Sequence, residues 1–203
     1  MEAFLGFGKL AEQILCHFNI KKGFSIFDDF TQSSGKSFKF DEYLRRSKDF
    51  EWILALGYSS LEKKHSVLFK LLDSGASLKS LVHPTSHLNK SSKIYPGSIV
   101  YPMCNIDGGV EISSGTILNN SVIISHDCKI GECTYFSPGV IVSGDVVIGK
   151  RCFLGAGSII TNGVSIGDDV TVGIGSVITN DIPTGSQVIG NPLKFLDKKI
   201  KLK

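Results

Sequence analysis

Histidine is scarce in this 203-residue chain, and one of its five, His126, stands directly beside a carboxylate, Asp127. An imidazole titrates near neutral pH, so it can take the proton of an attacking amine or hydroxyl. A carboxylate next to it fixes the tautomer and raises the basicity of the free nitrogen. A second stretch suits a different chemistry. Gly6-Phe7-Gly8-Lys9-Leu10-Ala11 fits G-x-G-x-x-A, a turn that lets a phosphate approach the backbone and the N-terminus of the following helix. Asp28 and Asp29 follow about 20 residues later, and Gly57 closes a further apolar run. This spacing invites a dinucleotide reading. Such a site uses two βαβ halves, however, and the residues ahead of position 82 supply about one.

The element that must position His126 is a repeat. From 82 to 183 the sequence recurs every six residues, seventeen times. The first residue of each hexad is apolar, from Val82 and Leu88 through Ile124, Ile130 and Phe136 to Ile178. The fifth is small or β-branched, from Ser86 through Cys104, Cys128, Thr134 and Cys152 to Ile182. A period of six fits neither a helix nor a plain strand and predicts a parallel β-helix, each hexad one short strand and a corner. One coil cannot bury its apolar edge alone, so the coils must stack. Three hexads per coil give between five and six coils, a prism about 27 Å long at roughly 4.8 Å per layer. Glycines such as Gly131, Gly149, Gly155, Gly167 and Gly173 fall at corners, where positive φ or close backbone approach favours them.

Residues 1–81 follow another rhythm. Strands are expected at 3–7, 24–27, 52–56 and 78–82, the last leading into the repeat. Helices are expected at 9–18 and 61–72, with Gly75 beyond the second, and a short helix at 40–46. Strand–helix alternation predicts a parallel sheet with helices packed on it. The chain therefore divides into 1–81, a Rossmann-like α/β unit; 82–183, the β-helix; and a basic tail, 184–203. The tail is expected to be solvated, with help to a cofactor phosphate as the other reading.

Composition excludes several classes. Twenty-two basic and nineteen acidic side chains give a net charge of +3, no electrostatic case for nucleic acid. No apolar run approaches the roughly 18 residues of a membrane helix. The N-terminus has no signal-peptide pattern, and five cysteines without a CxxC fit a reduced, cytoplasmic protein. Cys128 holds a core slot, so it is not expected to be an activated nucleophile.

The hexad register with His126-Asp127-Cys128, and the small unit ahead of it, resembles the NeuD/PglD-type sugar N-acyltransferases over essentially the whole chain. The resemblance implies a left-handed β-helix, a homotrimer with active sites between subunits, acetyl-CoA as co-substrate and no metal. It implies that His126 is the base and that Asp127 supports it. It places cofactor contacts at Tyr135, Gly144, Ala156 and Ile174, with the Gly144 N–H as a candidate donor to the oxyanion. The nucleotide-linked sugar would be held by Gly8, Lys9, Leu10, Asp28, Asp29 and Gly57, with Asn119 near the reacting end. Three positions depart from the commonest pattern. Tyr135 and Leu10 stand where relatives carry histidine, and Tyr58-Ser59 stands where many carry two asparagines. These departures favour dTDP over UDP as the nucleotide, with GDP also open.

The expected activity is acetyl-CoA-dependent N-acetylation of a nucleotide-linked amino sugar, a 4-amino-4,6-dideoxyhexose, in bacterial surface glycan (O-antigen) biosynthesis. A sugar O-acetyltransferase and a non-catalytic trimeric scaffold are the alternatives. A zinc hydratase on the same β-helix would need three histidine ligands, and the middle coils offer only His126.

Overall fold

A computed structural model describes residues 1–6, 8–20, 23–28 and 36–197. Asp29 and the last six residues of the basic tail lie outside that set. The first unit is a five-stranded parallel sheet of β1 (Glu2–Leu5), β2 (Phe24–Phe27), β3 (Lys36–Phe38), β4 (Glu51–Leu54) and β5 (Ser77–Leu78), in the order β3-β2-β1-β4-β5. Helices α1 (Lys9–His17) and α2 (Leu61–Asp73) complete it. The strands are apolar runs buried on both faces, as a helix-covered parallel sheet requires: Phe4, Leu5, Trp52, Ile53 and Leu54 have no exposed surface. The Ser60 hydroxyl caps α2 by accepting from the Lys63 N–H at 3.3 Å. Gly75 ends it with φ +75°, donating to the Leu72 carbonyl.

Three readings of this unit change. The strand β3 was not expected, and 40–46 forms only a 3-10 turn at Phe40–Tyr43. The strand expected at 78–82 is two elements: Ser77–Leu78 joins the first sheet, and Leu81–Val82 pairs with Ile99–Val100 in the second unit. The chain thus passes from one sheet to the other within four residues.

The second unit is the predicted β-helix. Each hexad gives a two-residue strand, and partners lie 18 residues apart, as in Ile117↔Tyr135, Ile123↔Ile141 and Lys129↔Val147. Three hexads therefore make one coil, and the coil has three parallel faces. Face 1 carries Leu81, Ile99, Ile117, Tyr135 and Phe153 outward; face 2 carries Ile123, Ile141 and Ile159; face 3 carries Lys93, Glu111, Lys129 and Val147. First and fifth positions fill the interior, among them Ile112, Leu118, Val122, Ile124, Phe136 and Val140, all without exposed surface.

Fifth-position side chains are small for a second reason. Their hydroxyls and thiols donate to a carbonyl 15 residues ahead: Ser98 to Ser113 at 3.0 Å, Thr116 to Gly131 at 3.1 Å, Thr134 to Gly149 at 2.9 Å, and Cys128 to Ser143 at 3.0 Å. Corner carbonyls that turn inward are thereby satisfied without water. Burial pushes the Cys128 thiol up and the Cys152 thiol to about 12. These are structural thiols, as expected from their slots.

The corners divide their work differently from the expectation. Every fourth position from 97 to 175 has positive φ, whether glycine, as at Gly109, or not, as at Asp127 and Asp145 with φ +58° each. The glycines named from the sequence sit two residues earlier and serve close approach. A Cβ on Gly131 would lie 2.5 Å from the Gly149 carbonyl carbon, and one on Gly155 would lie 2.6 Å from that of Gly173. The seventeenth hexad also departs. Ile182, a fifth position by sequence, bridges Ile166, a first position, because the last coil is two residues short. Val188 then pairs with Val172, and Lys194–Phe195 closes the sheet antiparallel.

The first unit packs on face 1. Ile99, Ile117 and Tyr135 meet Phe4, Ile14 and Ile53, while Cys133, at a corner of the prism, packs with Leu54 and Leu68. Lys64 of α2 is completely buried at this junction, and its ammonium has no hydrogen-bond partner among the described residues. Desolvation lowers its pKa from 10.5 to about 8. Below about pH 8 the lysine is protonated in both folded and unfolded chains, and the penalty is complete. Between about 8 and 10.5 the unfolded chain binds the extra proton, so stability rises with pH. The shift corresponds to about 3 kcal/mol. Lys64→Met should raise stability at pH 7 by roughly 1–3 kcal/mol and abolish this part of the alkaline rise. Urea unfolding across pH 7–10.5 checks both; a less stable variant would contradict the account.

Candidate active site

His126 and Asp127 sit at the edge between faces 2 and 3, in the corner that follows Ile123–Ile124. The Asp127 carboxylate lies 3.0 Å from His126 Nδ1. With the Nδ1 proton donated to that carboxylate, Nε2 keeps its lone pair for a substrate proton. Both side chains are more than half exposed, so this hydrogen bond contributes orientation rather than stability.

Glycines above and below make the arrangement possible. The imidazole lies over Gly144, where a Cβ would come within 2.5 Å of Cε1 and Nε2. Asp127 leans over Gly109 one coil below, where a Cβ would collide with its carboxylate. The Gly144 carbonyl accepts from the Gly163 N–H at 3.0 Å, while its own N–H has no partner among the described residues. A third group completes the edge. Asp145 has a carboxylate oxygen within 4.8 Å of donor atoms of both His126 and Asp127. Sequence reasoning missed it, although its signal was present: Asp145 stands one 18-residue coil after Asp127. The three are exposed side chains, and we read them as an imidazole flanked by two carboxylates rather than as a metal centre.

The other candidates lie elsewhere. Asn119, Ala156 and Ile174 occupy the edge between faces 1 and 2, in corners that follow face-1 strands. Ile174 is 71% exposed. Asn119 is held at both ends: its amide nitrogen donates to the Tyr135 hydroxyl at 3.0 Å, and its oxygen accepts from the Asn120 N–H at 2.8 Å. Tyr135 is buried on face 1. Its ring stacks parallel to Phe153 at 5.7 Å and meets Tyr58 at 4.9 Å. Burial pushes its hydroxyl upward, with the Asn119 hydrogen bond opposing, so it stays protonated at neutral pH. One chain therefore separates the His126 edge from the Asn119–Ile174 edge by the width of face 2. That face is apolar and open: Ile123, Ile141 and Ile159 are each 37–38% exposed.

The glycine loop is placed where an open α/β sheet holds ligands. The strand order reverses at β1, between β2 and β4, and ligands bind beyond the carboxyl ends of strands at such a point. Gly6 ends β1 with φ +85°, and a Cβ there would meet Leu56 at 2.8 Å. Gly8 caps α1 with open space around it and no side-chain cap, leaving the helix N-terminus available to an anion. Lys9 is exposed beside it. Leu10 is turned into the core and reaches Gly57, whose Cβ would lie 3.9 Å from it. Asp28 follows β2, its N–H donating to the Phe38 carbonyl.

Comparison with known proteins fits this architecture. Residues 145–180 match the family model for the hexapeptide repeat of succinyl-transferase. No curated protein matches by sequence. Among solved structures, the acetyltransferase domain of PglB from Neisseria gonorrhoeae superposes with a TM-score of 0.86 at 27% identity, covering 96% of this chain and 98% of that one. The same domain in complex with acetyl coenzyme A gives 0.85 at 26% identity, with the same coverage. PerB from Caulobacter crescentus, in complex with CoA and GDP-perosamine, gives 0.86 at 27% identity and 96% of each chain. The β-helix is of the left-handed, hexapeptide-repeat kind, and in its repeat and whole-chain fold the protein is similar to these acetyltransferases.

Proposed function

We propose that the protein transfers the acetyl group of acetyl-CoA to the amine of a nucleotide-linked 4-amino-4,6-dideoxyhexose, with His126 as general base. The observation that carries this reading is the His126–Asp127 pair at 3.0 Å, held over Gly144 on an edge of the prism. The neutral amine attacks the thioester carbonyl, and Nε2 of His126 takes the amine proton as the C–N bond forms. The Gly144 N–H faces the developing oxyanion. On collapse the C–S bond breaks and the imidazolium returns its proton to the departing thiolate. No covalent enzyme intermediate is needed, in keeping with the buried, raised thiols of Cys128 and Cys152. The PglB domain with acetyl coenzyme A and PerB with CoA and GDP-perosamine support the donor and the acceptor class.

The nucleotide diphosphate takes the α1 N-terminus at Gly8, Lys9 and Leu10, with Asp28 and Gly57 around the base and ribose. GDP stands beside dTDP and UDP as a candidate. The pantetheine runs along Ala156 and Ile174. Because those residues and His126 lie on different edges, the complete site takes one edge from each of two copies. A closed ring of three chains, each turning face 2 to a common axis, buries Ile123, Ile141 and Ile159 and brings unlike edges together at every boundary. Among the described residues no helix is long and apolar enough to cross a membrane. We place the enzyme in the cytoplasm, where acetyl-CoA and sugar nucleotides are made, in bacterial surface glycan biosynthesis.

His126→Ala should lower kcat by about 10²–10⁴-fold while the KM for acetyl-CoA changes less than about twofold; near-normal turnover would refute the base assignment. Mass spectrometry of the product decides between an acetylated amine and an acetylated hydroxyl. Ile141→Asp should yield a folded monomer by light scattering and circular dichroism with turnover below about 1% of wild type, since a charge at an apolar interface is strongly disfavoured. A monomer with full activity would contradict the shared site.

A further inference from the structure

Tyr58 and Tyr135, singled out in the sequence as separate departures, touch each other. Tyr58 follows Gly57 in the 3-10 turn Tyr58–Ser60, and its ring lies 4.9 Å from that of Tyr135 and 5.3 Å from that of Phe153. Tyr135 and Phe153 stack within 2° of parallel, and the Tyr135 hydroxyl is fixed by Asn119. Leu10 extends the same surface back to the α1 N-terminus. Tyr58 and Phe153 are each partly exposed.

We propose that Tyr58, braced by Tyr135 and Phe153, forms an aromatic wall that reads the sugar of the acceptor and selects a hexose whose C6 is a methyl over one whose C6 is a hydroxymethyl. This rests on the reading above that a nucleotide-linked amino sugar is the acceptor. A diphosphate at Gly8 and an amine delivered beyond Asn119 leave the sugar ring to cross the ground between them, and that ground is Leu10, Tyr58 and Phe153. C–H bonds and a methyl pack on aromatic faces at no polar cost. A hydroxyl at the same place would lose its water against these apolar and aromatic faces. The wall is built from three positions that meet only through the fold, so Tyr58 is a specificity-determining residue and Tyr135 positions it.

Calorimetric titration tests this without turnover. The probes are 4-amino hexoses linked to dTDP, UDP and GDP, each offered with a C6 methyl and with a C6 hydroxymethyl. Wild type should bind the methyl member of the preferred pair on the order of 10- to 100-fold more tightly. Tyr58→Ala and Phe153→Leu should each reduce that preference to about threefold or less, Tyr58→Phe should keep it, and the Kd for coenzyme A should be unchanged in all three. A folded Tyr58→Ala that keeps the full preference would overturn the wall, as would a wild type that binds both members equally or neither. Acetylated product is scored separately: its absence with the binding preference intact defeats the transferase reading and leaves the wall standing.

Discussion

Everything in this molecule depends on the eighteen-residue return. Each coil brings first and fifth positions back onto the same interior columns, and the fourth positions from 97 to 175 turn their corners with positive φ. Fifth-position hydroxyls and thiols tie one coil to a corner carbonyl of the next. The result is three parallel faces and three edges, with little freedom for any side chain on them. A catalytic group placed on such an edge is oriented by the coils above and below rather than by a flexible loop.

The candidate site is where the columns carry side chains that packing does not need. His126 and Asp127 project from a corner whose neighbours one coil away are Gly144 and Gly109, and neither glycine has room for a Cβ. Face 2 separates this edge from the one bearing Asn119, Ala156 and Ile174, and exposes three isoleucines between them. The first unit covers face 1 and holds its glycine loop near Tyr58 and Tyr135. The proposed site between two chains rests on these three features: the fold, the apolar face and the division of the candidate residues between two edges.

Much of this was legible in the sequence, because a six-residue period leaves one architecture for its apolar columns. The strands at 24–27 and 52–56, the helix at 61–72 with Gly75 beyond it, and the His126–Asp127 pair also announce themselves through local pattern. What was not legible depends on residues far apart. Nothing local marks Lys64 as buried under a corner of the prism, since its helix reads as an ordinary amphipathic one. Tyr58, Tyr135 and Phe153 form one stack across two units, and Asp145 joins His126 only through the coil spacing. The seventeenth hexad looks regular because Ile182 suits either column; only pairing with Ile166 exposes the two-residue shortening.

The most direct measurement is complementation between two defective chains. His126→Ala removes the proposed base from one edge, and Ile174→Asp spoils the proposed cofactor side of the other. Each alone should be nearly inactive. Co-expressed in equal amounts and assembled at random, they should recover about a quarter of wild-type turnover, because one boundary in four then joins two intact edges. No recovery in assemblies shown to contain both chains would contradict the account and place the whole site within a single copy.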